Sequence, residues 1–277
     1  MTKKIIKAVK GHPAVDGAGV NLIRVIGYRD IQEADPFLLL DAFDSTDPKD
    51  YINGFPMHPH RGIETVTYLI DGQIDHEDSL GNKGSIQAGQ SQWMTAGSGI
   101  MHQEMPQEQS RLFGLQLWVN LPKKHKMTVP RYFDITNDMI KTVDIPEGKV
   151  RVIAGSFGDA KGVDTAFVKA QMLDIRLNPD AEMLIPMDKK STVLVYTLEG
   201  DGYFGPGALH YADRRTAVIF GEGDTFFARA GKNGLHFMLY SGRPLRESVA
   251  WGGPIVMNTQ EELVNAFEEL QVGTFIR

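Results

Sequence analysis

The chain contains no cysteine. That removes disulfides, thiolate metal sites and thiol nucleophiles together, leaves imidazoles and carboxylates as metal ligands, and fits a reducing compartment. Long apolar runs are missing too. The basic start, MTKKIIKAVKGHPAVDG, lacks the hydrophobic stretch of a secretory leader, and no later segment reaches membrane-spanning length. Both absences point to a cytoplasmic protein without a membrane role. An excess of basic charge is the third absence: Lys and Arg number 29 against 35 Asp and Glu, a formal net charge of −6. Direct nucleic-acid binding is therefore disfavoured.

What is present is an ordinary globular composition, 42% apolar and 23% charged over 277 residues, long enough for two domains each with its own core. Short β-branched and aromatic runs alternate with Gly, Asp and Asn, as in Glu64 to Ile70 before Asp71-Gly72 and Val193 to Leu198 before Glu199-Gly200. Such spacing predicts an all-β sandwich or barrel. One helix is expected, at the C-terminus. Thr259 can cap it, Glu262 completes a capping box, and Leu263, Val264, Phe267 and Leu270 form an apolar stripe ending at Gly273.

Tyr68-Leu-Ile-Asp-Gly72 lies over Tyr196-Thr-Leu-Glu-Gly200, and Gly89 over Gly223, so the chain reads as two copies of one β fold. The boundaries expected are 1–136 and 148–277, with the polar, Pro-containing stretch 137–148 as linker.

Two short motifs carry the chemistry. His58 and His60 stand at i and i+2, and so do His102 and Glu104. Successive strand side chains alternate faces, so both members of each pair point one way. If the two strands face one cavity, three imidazoles and a carboxylate converge in a set suited to Fe(II), Mn(II), Ni(II) or Zn(II). One HxH among 8 His would be weak, since a surface or a hydrogen-bonded core histidine is common; two such pairs flanked by Gly and Pro are far less accidental. Glu64 shares the parity of His58 and His60 and competes for the carboxylate position. Overlaying the second copy puts Pro186 at His58, Asp188 at His60, Thr192 at Glu64, His236 at His102 and Met238 at Glu104. A metal-free second copy is expected, with His236 structural.

Three long stretches, Gly54-Phe-Pro-Met-His-Pro-His-Arg-Gly-Ile-Glu-Thr-Val-Thr-Tyr68, Trp93-Met-Thr-Ala-Gly-Ser-Gly-Ile-Met-His-Gln-Glu-Met-Pro106 and Gly114-Leu-Gln-Leu-Trp-Val-Asn-Leu121, closely resemble the pirin family. Gly242-Arg-Pro-Leu-Arg-Glu247 and Gly253-Pro-Ile-Val-Met-Asn-Thr259 look like its C-terminal half. The resemblance spans nearly the whole chain. It implies membership of the cupin superfamily: two tandem antiparallel β-barrels of jelly-roll type and a short C-terminal helix. It implies one divalent transition metal in the N-terminal barrel, Fe(II) first, with Mn, Ni, Zn or Co as alternatives, held by His58, His60, His102 and Glu104. Glu64 then falls to a supporting role.

Four protein ligands would leave two of six octahedral positions for water, dioxygen or substrate oxygens, with Glu104 as proton acceptor. Similarity to quercetin 2,3-dioxygenases implies a small aromatic enol or flavonol and dioxygen as substrates, and a monomer. Eukaryotic pirins resemble iron-dependent transcriptional co-regulators, so a non-enzymatic protein-partner role is the alternative. Around the site, Gln116 is balanced between a ligand contact and a core amide, and Phe55 and Met57 between pocket wall and packing. Arg61 is balanced between orienting a carboxylate and pairing on the surface. Trp93 and Trp118 are expected as core anchors.

Overall fold

The computed structural model describes residues 1–276, and they are mostly β. The chain divides into two compact units, each assembled from three separated segments. One consists of 12–24, 37–137 and 245–277; the other of 1–11, 25–36 and 138–244. Both termini thus cross the linear division at 1–136 and 148–277. Among the described residues, no helix is long and apolar enough to cross a membrane.

The first unit carries two antiparallel sheets. A seven-stranded sheet runs in the order Arg131–Ile135, Ser91–Thr95, Ile63–Asp71, Leu112–Asn120, Phe37–Ser45, Val20–Ile26 and His12–Asp16. A four-stranded sheet runs Phe55–His60, Ile100–Pro106, Gln73–Asp78 and Lys83–Gln87. Both paths are open, so neither sheet closes on itself as the barrel expectation required. Val20, Leu22, Phe43, Tyr51, Leu69, Ile74, Ile86 and Leu112 form a core contributed by both sheets.

The expected strand running on from His60 to Glu64 does not form. Phe55–His60 ends in the four-stranded sheet and Ile63–Asp71 opens in the seven-stranded one. Between them Gly62 sits at φ +78°, in the left-handed region that favours glycine, and a Cβ there would lie 1.9 Å from the Val256 carbonyl oxygen. This switch of sheets cancels the parity that joined Glu64 to the histidine pair.

The other unit is built on one nine-stranded antiparallel sheet. Its long strand Thr225–Gly242 does two tasks: residues 225–229 pair with Glu182–Pro186, and residues 235–242 lie between Thr192–Phe204 and Gln171–Leu177. In the first unit two separate strands, Ile100–Pro106 and Leu112–Asn120, do this work. His236 therefore belongs with Leu112–Asn120, and the overlay of His236 on His102 and Met238 on Glu104 is corrected. The tyrosine anchor holds, since Tyr68 faces Leu115 and Tyr196 faces Met238. Met183, Ile185, Phe226 and Ala228, on the paired strands matching the histidine pair, are buried in a hydrophobic core.

The expected linker is structured. Lys141–Ile145 is an edge strand hairpinned to Gly148–Ala154, and its alternating Val143 and Ile145 pack on that unit's core. The C-terminal helix Gln260–Gln271 carries the expected capping box, with Thr259 Oγ1 accepting from the Glu262 N–H and Glu262 Oε2 accepting from the Thr259 N–H, each at 3.1 Å. Its buried face is Leu263 and Ala266, flanked by Phe267 and Leu270, whereas Val264 is exposed because it falls off that stripe.

Gly62→Ala is expected to lower the unfolding free energy by about 2 kcal/mol or more, from left-handed strain of about 1–3 kcal/mol plus the clash with Val256. A denaturant midpoint equal to that of the parent protein would show that the turn is not so constrained.

Candidate metal centre

Strands Phe55–His60 and Ile100–Pro106 are antiparallel neighbours, and their register sets His102 directly opposite His58, with His60 facing Ile100. The pairing slips by one residue between His102 and Glu104, bringing Glu104 opposite Phe55. Burial alternates along Ile100–Pro106, so His102 and Glu104 both point inward. Ligand nitrogens of His58, His60 and His102 lie within 4.8 Å of one another. Ring centroids are 4.3 Å apart for His58 and His102, 4.8 Å for His58 and His60, and 5.0 Å for His60 and His102.

The hydrogen bonds of the outer nitrogens fix the tautomers. His58 Nδ1 lies 2.9 Å from the Pro56 carbonyl oxygen and His60 Nδ1 lies 3.1 Å from that of Pro254. A carbonyl only accepts, so each Nδ1 carries the proton and, in a neutral ring, each Nε2 presents a lone pair. Those two Nε2 atoms face each other at 3.1 Å. Among the described residues, His102 Nε2 is buried without a hydrogen-bond partner. Two opposed lone pairs and an orphaned third nitrogen leave a concentration of electron density that a cation, and no neutral protein group present, would satisfy. The residues fit a divalent transition metal.

Burial holds the His60 and His102 imidazoles neutral. It pushes His60 down to about 3, helped by the neighbouring His58, and drives His102 well below the usual value, helped by His60, His58 and His76. A proton therefore competes poorly for the nitrogens of His60 and His102.

Glu104 is buried but stands outside the three-histidine group. Its Oε1 accepts from Thr67 Oγ1 at 2.7 Å and its Oε2 from Gln116 Nε2 at 2.6 Å. Glu64 points elsewhere: Oε1 accepts from Thr95 Oγ1 at 2.8 Å, and burial raises its pKa. Arg61 neither orients a site carboxylate nor lies on the surface. Buried, it donates to the Ser98 and Phe275 carbonyls, pairs with Glu269 at 2.7 Å and lies 4.1 Å from the Phe275 ring centroid.

A cavity of about 600 Å³ opens beside the imidazoles, within the size range of small-molecule sites. His58 and His60 line it with Phe55, Trp118 and Trp251, and so do Gln116, Asp41, Arg24 and Asp16. Met57 is exposed and Trp93 is a core residue stacked on Phe133, 6.4 Å between centroids. Trp118 is a wall residue, its ring edge-on to His60 at 5.0 Å. The floor belongs to the seven-stranded sheet, where register puts Thr67, Gln116 and Asp41 in one row and Thr65, Trp118 and Leu39 in the next.

Residues that sequence reasoning passed over are the Pro254 carbonyl, Trp251 and the Arg24–Asp41 pair. Gly253-Pro254 stood out only as part of a family-like run, and nothing local showed that its backbone would orient His60. Asp41 sits in the run Phe37-Leu-Leu-Leu-Asp-Ala-Phe43, and a lone carboxylate in a buried strand was the available signal.

The pirin family matches residues 19–119, and the pirin C-terminal cupin domain matches residues 172–276, so the two units are of cupin type. A pirin-like protein from Caulobacter vibrioides is 41% identical over 278 residues, covering 99% of each chain. Human pirin is 39% identical over 268 residues, covering 96% of this chain and 91% of its own. The crystal structure of quercetin 2,3-dioxygenase from Acinetobacter baumannii matches with a TM-score of 0.91 at 34% identity, covering 99% of each chain.

Both depressed imidazoles fix the sign of a pH dependence. The unfolded chain protonates them near 6.5 and the folded chain does not, so their contribution is complete above 6.5 and lost as pH falls, for His60 toward about 3. Between pH 6.5 and 5.0 the chelator-treated protein should lose about 2 kcal/mol through His60 in urea unfolding. His60→Asn should flatten that slope, and an equal slope in the variant would contradict the assignment.

Proposed function

The chain belongs to the pirin family, and from that premise we propose that it is a metal-dependent dioxygenase opening the heterocycle of flavonols such as quercetin. The observation that supports this reading is the convergence of three imidazoles, of which His58 and His60 line an aromatic-walled cavity. We assign His58, His60 and His102 as nitrogen ligands and Glu104 as the carboxylate of the same centre. Fe(II) is the metal proposed, with Mn, Ni, Zn and Co as alternatives. When bound, it would act as a Lewis acid toward an enol oxygen and give dioxygen a place to react. We read the open sheets around the site as a jelly-roll arrangement of cupin type.

The chain's own residues divide the remaining work. Trp118, Trp251 and Phe55 give a planar aromatic ligand apolar surface and keep water from the reacting face. Thr67 and Gln116 hold the Glu104 carboxylate as an acceptor in the site, and that carboxylate takes the proton of the substrate's 3-hydroxyl. Rotation of Glu104 away from those two donors would free an oxygen for the metal. The Nδ1 clamps at Pro56 and Pro254 keep the imidazoles aimed inward throughout.

Purified protein should carry about one transition metal per chain, and His60→Ala or His102→Ala should largely empty the site. Metallated protein should consume dioxygen with quercetin and not with an analogue lacking the 3-hydroxyl. Glu104→Gln should lower turnover by roughly 10²-fold or more, the usual share of a general base, whereas Glu64→Gln should leave the metal bound. Fully metallated protein that consumes no dioxygen with any flavonol would refute the enzymatic reading, and metal-dependent capture of a protein partner would then favour the alternative.

A further inference from the structure

The polar row on the cavity floor continues from Gln116 through Asp41 to Arg24, a group that the imidazole end does not use. Arg24 is locked in place. Its Nε donates to Asp41 Oδ1 at 3.0 Å, and its Nη2 donates to Asp41 Oδ2 and Asp16 Oδ2, each at 2.7 Å. Asp41 is only 4% exposed, so its fork with Arg24 is held by the sheet itself. Nη1 has no hydrogen-bond partner among the described residues, although Arg24 lines the cavity. Beside it, Asp16 also lines the cavity and accepts from the Gly17 N–H and from Arg24, leaving carboxylate lone pairs to spare.

Charge decides what such a pair can take. Asp16, Asp41 and Arg24 together sum to −1, so a carboxylate or phosphate would meet net repulsion. A hydroxyl suits the site because it can accept from Nη1 and donate to Asp16 at once. The same cavity, lined by Arg24, Asp16, His58 and His60, also presents Trp118 and Phe55, which suit a flat ring system. We propose that Arg24 and Asp16 form a second recognition point that takes an aromatic hydroxyl of a polyphenol bound at the imidazole end. Selectivity would then come from two anchors, the enol oxygens at the three histidines and one ring hydroxyl at Arg24. The inference rests on the flavonol reading above and names which flavonols fit.

The test is anaerobic calorimetric titration of the metal-loaded protein with quercetin and with 3-hydroxyflavone, which keeps the enol and carbonyl but has no other hydroxyl. The parent protein should bind quercetin about tenfold or more tightly, as expected for a hydrogen bond to a charged group. Arg24→Lys preserves a cation for Asp41 but removes the spare guanidinium N–H groups, so the quercetin constant should move toward that of 3-hydroxyflavone at unchanged metal content. Asp16→Ala, at a half-exposed position, should reduce the same preference and serves if Arg24→Lys does not fold. No preference in the parent protein, or a preference kept in both variants, overturns the second recognition point and leaves the flavonol reading standing. Failure of either flavonol to bind the metallated parent protein overturns both.

Discussion

Two imidazole nitrogens that, in neutral rings, cannot hydrogen-bond each other set the logic of this site. With both Nδ1 protons committed to backbone carbonyls, the His58 and His60 Nε2 lone pairs meet at 3.1 Å, and His102 Nε2 adds a third. Such an arrangement is unfavourable for the bare side chains, so the surrounding fold must impose it. The first clamp is local, a carbonyl two residues before His58. The second comes from Pro254, almost two hundred residues away, in the segment that leads into the C-terminal helix.

That dependence explains why the C-terminal segment is held so firmly. Lys126 is buried and gives its protons to the carbonyls of Gly62 and Val256, at 2.7 and 2.9 Å, and to Asn120. Arg61, next to the histidine pair, reaches the Phe275 carbonyl and Glu269. Leu263, Ala266 and Phe275 close a small core against Ile255 and Met257. These contacts converge on the chain around Pro254, and hence on the ring of His60. The second unit lacks the imidazoles on its equivalent strands and fills those positions with Met183, Ile185, Phe226 and Ala228.

Much of this was legible in the sequence, and the failures have physical causes. The i, i+2 pairs predicted three converging histidines because strand alternation is local and robust. The Glu64 parity failed because a left-handed glycine ends one strand and starts another in a different sheet. The capping box at Thr259 and Glu262 was readable from four residues, whereas Val264 was misplaced because an apolar residue can sit at the margin of a helical stripe. His236 was misaligned because one continuous strand replaces two interrupted ones. Arg24 and Asp41 meet only through tertiary pairing, seventeen residues apart across strands, which no short pattern records.

The central claim is that the three Nε2 atoms share one cation. Crystals of the protein loaded anaerobically with Fe(II), measured by anomalous diffraction at the iron edge, address it directly. The account predicts a single strong peak about 2.1 Å from the Nε2 atoms of His58, His60 and His102. No peak at that point, or iron bound elsewhere while His58 and His60 keep their 3.1 Å contact, would contradict it.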